Sequence, residues 1–123
     1  MLTVNLYPAD FLAMLGFLSR ISVSQLDVPL REQPVTIAVL MDYQSRLPLA
    51  RIFAWKSRRT DRLYKCNIPR PVAVALHREL FSTALSADQQ GLLHRLDEAM
   101  VNYQLPLPDR LALTTNLLHA ATA

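Results

Sequence analysis

The chain of 123 residues is 51% hydrophobic and carries a formal charge of +3, a composition that fits one globular domain spanning residues 1–123. Its single cysteine, Cys66, excludes an internal disulfide. Its two glycines, Gly16 and Gly91, are too few for the glycine-rich loops that bind nucleotide phosphates or for the G-x-S-x-G elbow of hydrolases.

The N-terminal region, residues 1–22, predicts a short strand followed by an apolar helix. Residues 1–6 alternate loosely in hydropathy, which is typical of a strand. Pro8 suits the first turn of a helix, and Asp10 is favourable near the positive end of the helix dipole. The helix should run to about Ile21. Because it is apolar over most of its circumference, we expect it to be buried or shared with a partner.

Residues 35–68 predict an antiparallel β-meander. Residues 35–43 are rich in β-branched side chains, apolar on both faces and bounded by proline, which indicates an interior strand. Residues 49–56 alternate as a second strand, and residues 62–68 form a third. Short turns between the strands favour an antiparallel arrangement. One face of the second strand carries Arg51, Phe53 and Trp55.

Residues 69–121 predict helices only. Pro69 and Pro71 open a helix that extends to about Thr83, and Ser86 with Gln89 matches a capping box that begins the next helix. Pro108 opens a final, leucine-rich helix. The predicted fold is therefore α+β: an antiparallel three- or four-stranded sheet, packed by the N-terminal helix and the Pro69 helix and followed by a C-terminal helical pair.

Residues 4–15 and 65–76 share one pattern of strand, proline and apolar helix. The match depends on Pro8, Pro69 and hydropathy alone, and chance explains it more simply than a repeat. If it reflects structure, it indicates two strand-to-helix corners of similar build, not two domains.

The excess positive charge is concentrated between Arg51 and Arg70. These twenty residues carry seven basic side chains against one acidic residue, Asp61, which gives +6, while the other 103 residues sum to −3. In the predicted meander, residues 51–70 form a basic β-hairpin with the following corner. Positive charge this localised attracts polyanions. The basic residues are Arg51, Lys56, Arg58, Arg59, Arg62, Lys65 and Arg70.

This pattern predicts a small non-enzymatic nucleic-acid-binding or regulatory protein, of bacterial or mobile-element type, that binds DNA or RNA through the hairpin. The seven basic side chains would contact phosphates, and Trp55 and Tyr64 would stack on bases. The pattern also allows Phe53 and Trp55 to lie in the core, in which case the arginines only keep the hairpin tip solvated and discourage edge-to-edge pairing of strands.

Two other functions fit the same sequence. The protein could be an adaptor or inhibitor that docks its basic hairpin on an acidic protein partner. It could also be a structural subunit of an oligomer, such as a homodimer, because the apolar helices offer more surface than a small sheet covers.

No motif indicates an enzyme, a cofactor or a metal. The three histidines, His77, His94 and His119, fall on different predicted helices and lack metal-ligand spacing. The acidic residues are scattered, whereas two-metal nucleases need clustered carboxylates. No histidine lies near Cys66 in the sequence, so we expect Cys66 to be a small buried residue rather than a nucleophile.

Residues 11–18 form the longest nearly uninterrupted apolar run, which is too short for a membrane span of about 20 residues. We therefore expect a cytoplasmic protein without a membrane contact.

Overall fold

The computed structural model describes residues 1–103. These residues form an α+β fold with two strands and five α-helices. In chain order the elements are β1 (Leu2–Leu6), α1 (Pro8–Ser24), α2 (Val35–Ser45), α3 (Leu49–Lys56), β2 (Tyr64–Ile68), α4 (Arg70–Phe81) and α5 (Ala87–Asn102). The final helix that Pro108 was expected to open, and with it the predicted C-terminal helical pair, lies outside the described residues.

The sheet is two-stranded within the described part of the chain, so the prediction of three or four strands is wrong. β1 and β2 pair antiparallel, with Leu2 opposite Ile68 and Leu6 opposite Tyr64. One face of the sheet is buried because its side chains are apolar and alternate along both strands. These buried side chains are Leu2, Val4, Leu6, Cys66 and Ile68.

The other two predicted strands are helices, α2 and α3, so the predicted β-meander over residues 35–68 is wrong. α2 buries Ile37, Leu40 and Tyr43, a spacing of three residues that places them on one helical face. Short apolar runs do not distinguish a strand from a buried helix, and the β-branched side chains favoured the wrong choice. Pro34 and Pro48 directly precede the two helices, where a missing N–H removes no helical hydrogen bond.

Four helices enclose the core beneath the sheet. α1 and α4 each pack against both α2 and α5, so the four helices close into a ring, and α5 also packs against β1. The largest fully buried helical side chains are Phe11, Met14, Leu18, Leu40, Leu76, Leu80, Leu92 and Leu96.

Within residues 1–103 no helix combines the length and apolarity needed to cross a bilayer.

Both strands lead into a helix through a proline corner. β1 ends at Leu6 and Pro8 is the first residue of α1, while β2 ends at Ile68 and Pro69 directly precedes α4. The similar patterns at residues 4–15 and 65–76 therefore coincide with two strand–helix units, whose strands pair with each other. The capping box at Ser86 is also confirmed, since the Gln89 backbone N–H donates to the Ser86 hydroxyl at 3.3 Å.

Substitutions on α2 test its helical register. Leu40 is fully buried, whereas Asp42, two residues later, is exposed. Leu40→Ala should lower the free energy of unfolding by about 2–5 kcal/mol, because it leaves a cavity in the core. Asp42→Ala removes an exposed ion pair with Arg46 and should cost less than about 1 kcal/mol. Urea unfolding followed by circular dichroism measures both. Similar losses for the two variants would contradict the helix, since Leu40 and Asp42 would share one face of a strand.

Candidate nucleic-acid interface

The seven basic residues between Arg51 and Arg70 lie on a helix, a loop and a strand rather than on a hairpin. Arg51 and Lys56 belong to α3, and Lys65 belongs to β2. Arg58, Arg59 and Arg62 lie on the connection between these elements, residues 57–63, which we call the 57–63 loop. Arg70 begins α4. The predicted basic β-hairpin over residues 51–70 is therefore wrong, because its first half is helical.

Trp55 lies in the core, with only 2% of its surface exposed. Its indole stacks on the Phe11 ring of α1, with ring centroids 4.5 Å apart and 7° between the planes. The Tyr64 ring meets the indole edge-on, at 6.2 Å and 80°. The core interpretation of Trp55 is thus the correct one, and the ring has no accessible face on which a base could stack.

Arg58 connects the 57–63 loop to aromatic rings of the fold. Its guanidinium carbon lies 4.3 Å from the Trp55 ring centroid and 4.6 Å from that of Tyr64, which gives two cation–π contacts. Its Nη1 atom is buried and has no hydrogen-bond partner within residues 1–103. The Tyr64 hydroxyl accepts a hydrogen bond from the backbone N–H of Arg59 at 3.2 Å. Arg58 and Tyr64 therefore anchor the loop, and the Arg58 side chain is held by protein groups.

Arg51 is directed toward β2 rather than toward solvent. Its Nη2 donates to the Cys66 sulfur at 3.3 Å and to the Asn67 carbonyl at 3.5 Å. Burial raises the pKa of the Cys66 thiol above its usual value, although the charge of Arg51 opposes this shift. Burial likewise raises the pKa of the Tyr43 phenol, whose hydroxyl has no hydrogen-bond partner in the described residues. Cys66 is therefore a buried, protonated thiol, which confirms its expected core role.

Four basic side chains remain exposed on or beside the 57–63 loop: Lys56, Arg59, Arg62 and Lys65. Arg59 forms a two-bond ion pair with Asp61, at 2.9 and 3.2 Å, and both side chains are largely exposed. The four cations and one carboxylate give the exposed side chains on and beside the loop a formal charge of +3. Because the loop is tied to the core by Arg58 and Tyr64, these charges are displayed from a fixed backbone.

Arg70 lies away from the 57–63 loop. It follows the far end of β2, and the strand separates Tyr64 from Ile68 by about 13 Å. Its Nη1 donates to the Tyr103 hydroxyl at 3.0 Å, and its guanidinium carbon is 5.7 Å from the Tyr103 ring centroid. Arg70 therefore belongs to a second surface, at the junction of α4 and α5.

The core interpretation is wrong for Phe53, an exposed aromatic ring beside the 57–63 loop that was not among the predicted site residues. Phe53 is 63% exposed and lies on the outer face of α3, one turn from the exposed Leu49 and nearly one turn from Lys56. The Lys56 Nζ is 6.0 Å from the Phe53 ring centroid. In a strand, Phe53 and Trp55 would share a face, but in a helix they point to opposite sides. Because residues 49–56 fit a strand and a helix equally well, no local signal placed Phe53 outside.

The described residues hold no group of three or more His, Cys, Asp or Glu side chains placed to bind a metal ion. Two histidines have acidic neighbours instead: His77 Nε2 lies 3.2 Å from an Asp97 carboxylate oxygen, and His94 Nε2 lies 3.7 Å from one of Glu98. The third, His119, falls outside the described part.

No protein-family model matches the chain, and neither curated proteins nor solved structures give a significant match.

Removal of Arg58 should destabilise the protein, whereas removal of its neighbour Arg59 should not. Arg58→Ala deletes two cation–π contacts and should lower the free energy of unfolding by about 1–3 kcal/mol. Arg59→Ala, the matched control, deletes an exposed ion pair and should cost less than about 1 kcal/mol. Urea unfolding followed by Trp55 fluorescence reports both. If Arg58→Ala cost no more than Arg59→Ala, the anchoring role of Arg58 would be refuted.

Alkaline pH should lower the free energy of unfolding because Cys66 and Tyr43 are buried. Their pKa values are raised above 9.0 and 10.0, so the unfolded chain loses these two protons at lower pH than the folded chain does. The folded state then binds more protons, and the free energy of unfolding falls as pH rises above about 9. The slope is at most about 1.4 kcal/mol per pH unit for each group.

The variants Cys66→Ala and Tyr43→Phe should each flatten this pH dependence. Urea unfolding by circular dichroism between neutral and alkaline pH measures the slope, and each variant is compared with its own value at neutral pH. An unchanged slope in the double variant would show that other groups, such as lysines, cause the loss.

Proposed function

We propose that the protein is a small non-enzymatic protein that binds nucleic acid through one surface beside the 57–63 loop. We call it the loop surface and define it by Phe53, Lys56, Arg59, Arg62 and Lys65. The observation that carries the proposal is the combination of four exposed cations with one exposed aromatic ring. Lysine and arginine neutralise phosphates, and an exposed ring lets an unpaired base stack.

The fixed backbone of the loop supports this function. Arg58 and Tyr64 hold the loop against the Trp55 ring, so the loop backbone needs little further ordering when a ligand binds. A preorganised surface binds more tightly than a flexible one with the same charges, because less conformational entropy is lost. The one acidic residue of the segment, Asp61, is paired with Arg59.

The exposed ring favours single-stranded nucleic acid as the ligand. Bases in a duplex are already stacked on each other, whereas those of a single strand are free to stack on Phe53.

Fewer basic residues would contact phosphates than the sequence predicted. Arg51 and Arg58 contact groups inside the fold, and Arg70 lies beyond the far end of β2.

A second candidate function is docking on an acidic protein, as an adaptor or inhibitor. The exposed side chains of Leu49, Phe53 and Leu63 favour it, because they place apolar surface beside the cations. Protein interfaces commonly combine an apolar centre with a charged rim. Such a partner would contact the apolar side chains and pair its carboxylates with Lys56 and Arg62.

Binding to fluorescent oligonucleotides tests the first function. If four phosphates are neutralised, log K should fall against log salt with a slope of about −2.8 on a single strand and about −3.6 on a duplex. Phe53→Ala should weaken single-strand binding by about 1–3 kcal/mol and change duplex binding little. Fluorescence anisotropy, measured over a series of salt concentrations, gives both quantities.

Charge reversal tests whether binding depends on the loop surface or only on the net charge of the protein. The double variant Arg62→Glu and Lys65→Glu should weaken binding and reduce the magnitude of the salt slope by about 2. The matched control, Arg20→Glu and Arg31→Glu, changes the net charge equally at exposed positions of α1 and of the turn before α2. Equal effects of the two double variants would exclude the loop surface, and no binding at low salt would exclude nucleic acid. In the latter case, salt-sensitive binding of polyglutamate would support the acidic-protein function.

A further inference from the structure

The outer side of α4 carries an apolar surface that no other element covers within residues 1–103. Val74, at its centre, is 44% exposed and lines three adjoining grooves. One groove runs beside α2, one toward the start of β1, and one toward Phe81 at the end of α4. We call this surface the α4 face; its apolar lining is Val35, Val39, Pro71, Val74, Phe81 and Met100.

The described part of the chain ends at the α4 face. Tyr103, its last residue, lines the groove that also contains Arg70, Val74 and Met100. Arg70 holds Tyr103 in this position. Its side chain donates a hydrogen bond of 3.0 Å to the Tyr103 hydroxyl, and its guanidinium lies beside the Tyr103 ring. The described part of the chain therefore ends next to exposed apolar side chains of α4.

The residues that follow Tyr103 are rich in leucine, a side chain that suits contact with an apolar surface. Residues 104–123 have only two charged side chains, Asp109 and Arg110. α4 has 12 residues and is about 18 Å long, and each residue of an extended segment reaches about 3.4 Å, so a few residues suffice to reach its far end. The six leucines of this segment are Leu105, Leu107, Leu111, Leu113, Leu117 and Leu118.

We propose that residues 104–123 of the same chain bind over the α4 face, with Leu105 and Leu107 in the grooves around Val74. Burial of leucine against valine and methionine removes apolar area from water, which drives the contact. The tether at Tyr103 favours this occupant over a second copy, because an attached segment acts at a millimolar effective concentration. Large contiguous apolar patches are uncommon on monomeric proteins, and this contact would cover the α4 face.

Engineered cysteine pairs test the contact in the full-length chain. The pair Val74→Cys with Leu107→Cys should form a disulfide within one molecule, and the control pair Phe53→Cys with Leu107→Cys places the first thiol on α3 instead. Native Cys66 is buried and does not compete. With millimolar effective concentration at the α4 face, the first pair should oxidise at least about tenfold faster than the control. Peptide mass analysis and non-reducing gels distinguish links within and between molecules.

Two outcomes would overturn the proposal. Disulfides that form mainly between molecules, faster at higher protein concentration, would assign the α4 face to a second copy. Equal oxidation rates for both pairs would show that residue 107 has no preference for α4.

Dye binding provides a second measurement without cysteines. The variant Leu105→Ala and Leu107→Ala should uncover the α4 face and raise the fluorescence of an added apolar dye several-fold. The control, Val23→Ala and Leu26→Ala, removes two exposed apolar side chains that do not line the grooves. Dye fluorescence that stays unchanged in the first variant would contradict the proposal. Neither experiment depends on the nucleic-acid function of the loop surface.

Discussion

The stack of Trp55 on Phe11 is the contact on which the loop surface depends. It joins α3 to α1, and the Tyr64 edge and the Arg58 guanidinium then pack on the same indole. An aromatic pair of this kind contributes about 0.5–1.5 kcal/mol beyond the burial of its area. Because Trp55 faces inward, the opposite side of α3 faces solvent, and that side carries Phe53 and Lys56. The buried ring thus determines which side chains of α3 are exposed.

Formal charge alone does not reveal which cations are available to a ligand. A guanidinium is planar and weakly hydrated, so it can stack on rings and donate hydrogen bonds inside a fold. Arg58 uses the first property against Trp55 and Tyr64, and Arg51 uses the second toward Cys66 and Asn67. The lysines of the segment, Lys56 and Lys65, both stay exposed, as expected for a compact, strongly hydrated ammonium group.

Local signals were enough to predict the two strand–proline–helix units, β1 with α1 and β2 with α4, and the capped helix α5. They follow from Pro8, Pro69, the capping box at Ser86 and hydropathy. α2 and α3 could not be predicted in the same way although a proline precedes each of them, because their short apolar runs fit a strand and a helix equally well. Only packing against other elements decides such cases, as when Leu40 of α2 enters the shared core.

Charge alone located the basic segment from which the candidate site is drawn, but it did not show which of its side chains are exposed. The loop surface lies within the basic segment that the sequence singled out. Burial of Trp55 depends on Phe11, which lies 44 residues earlier in the chain. Nothing in the local sequence signals that contact, so neither the loss of Trp55 as a stacking ring nor the exposure of Phe53 could be read from residues 51–70.

The pairing of β1 with β2 has a consequence for the order in which the protein folds during synthesis. β1 is made first, yet its partner strand ends at Ile68, after α1, α2 and α3 have all been translated. Until then, Leu2, Val4 and Leu6 belong to an apolar strand without a partner, which is a typical site of aggregation. Contacts between such distant residues also slow folding, since a long loop must close before they form. A nascent chain therefore cannot complete this sheet until Ile68 has been translated.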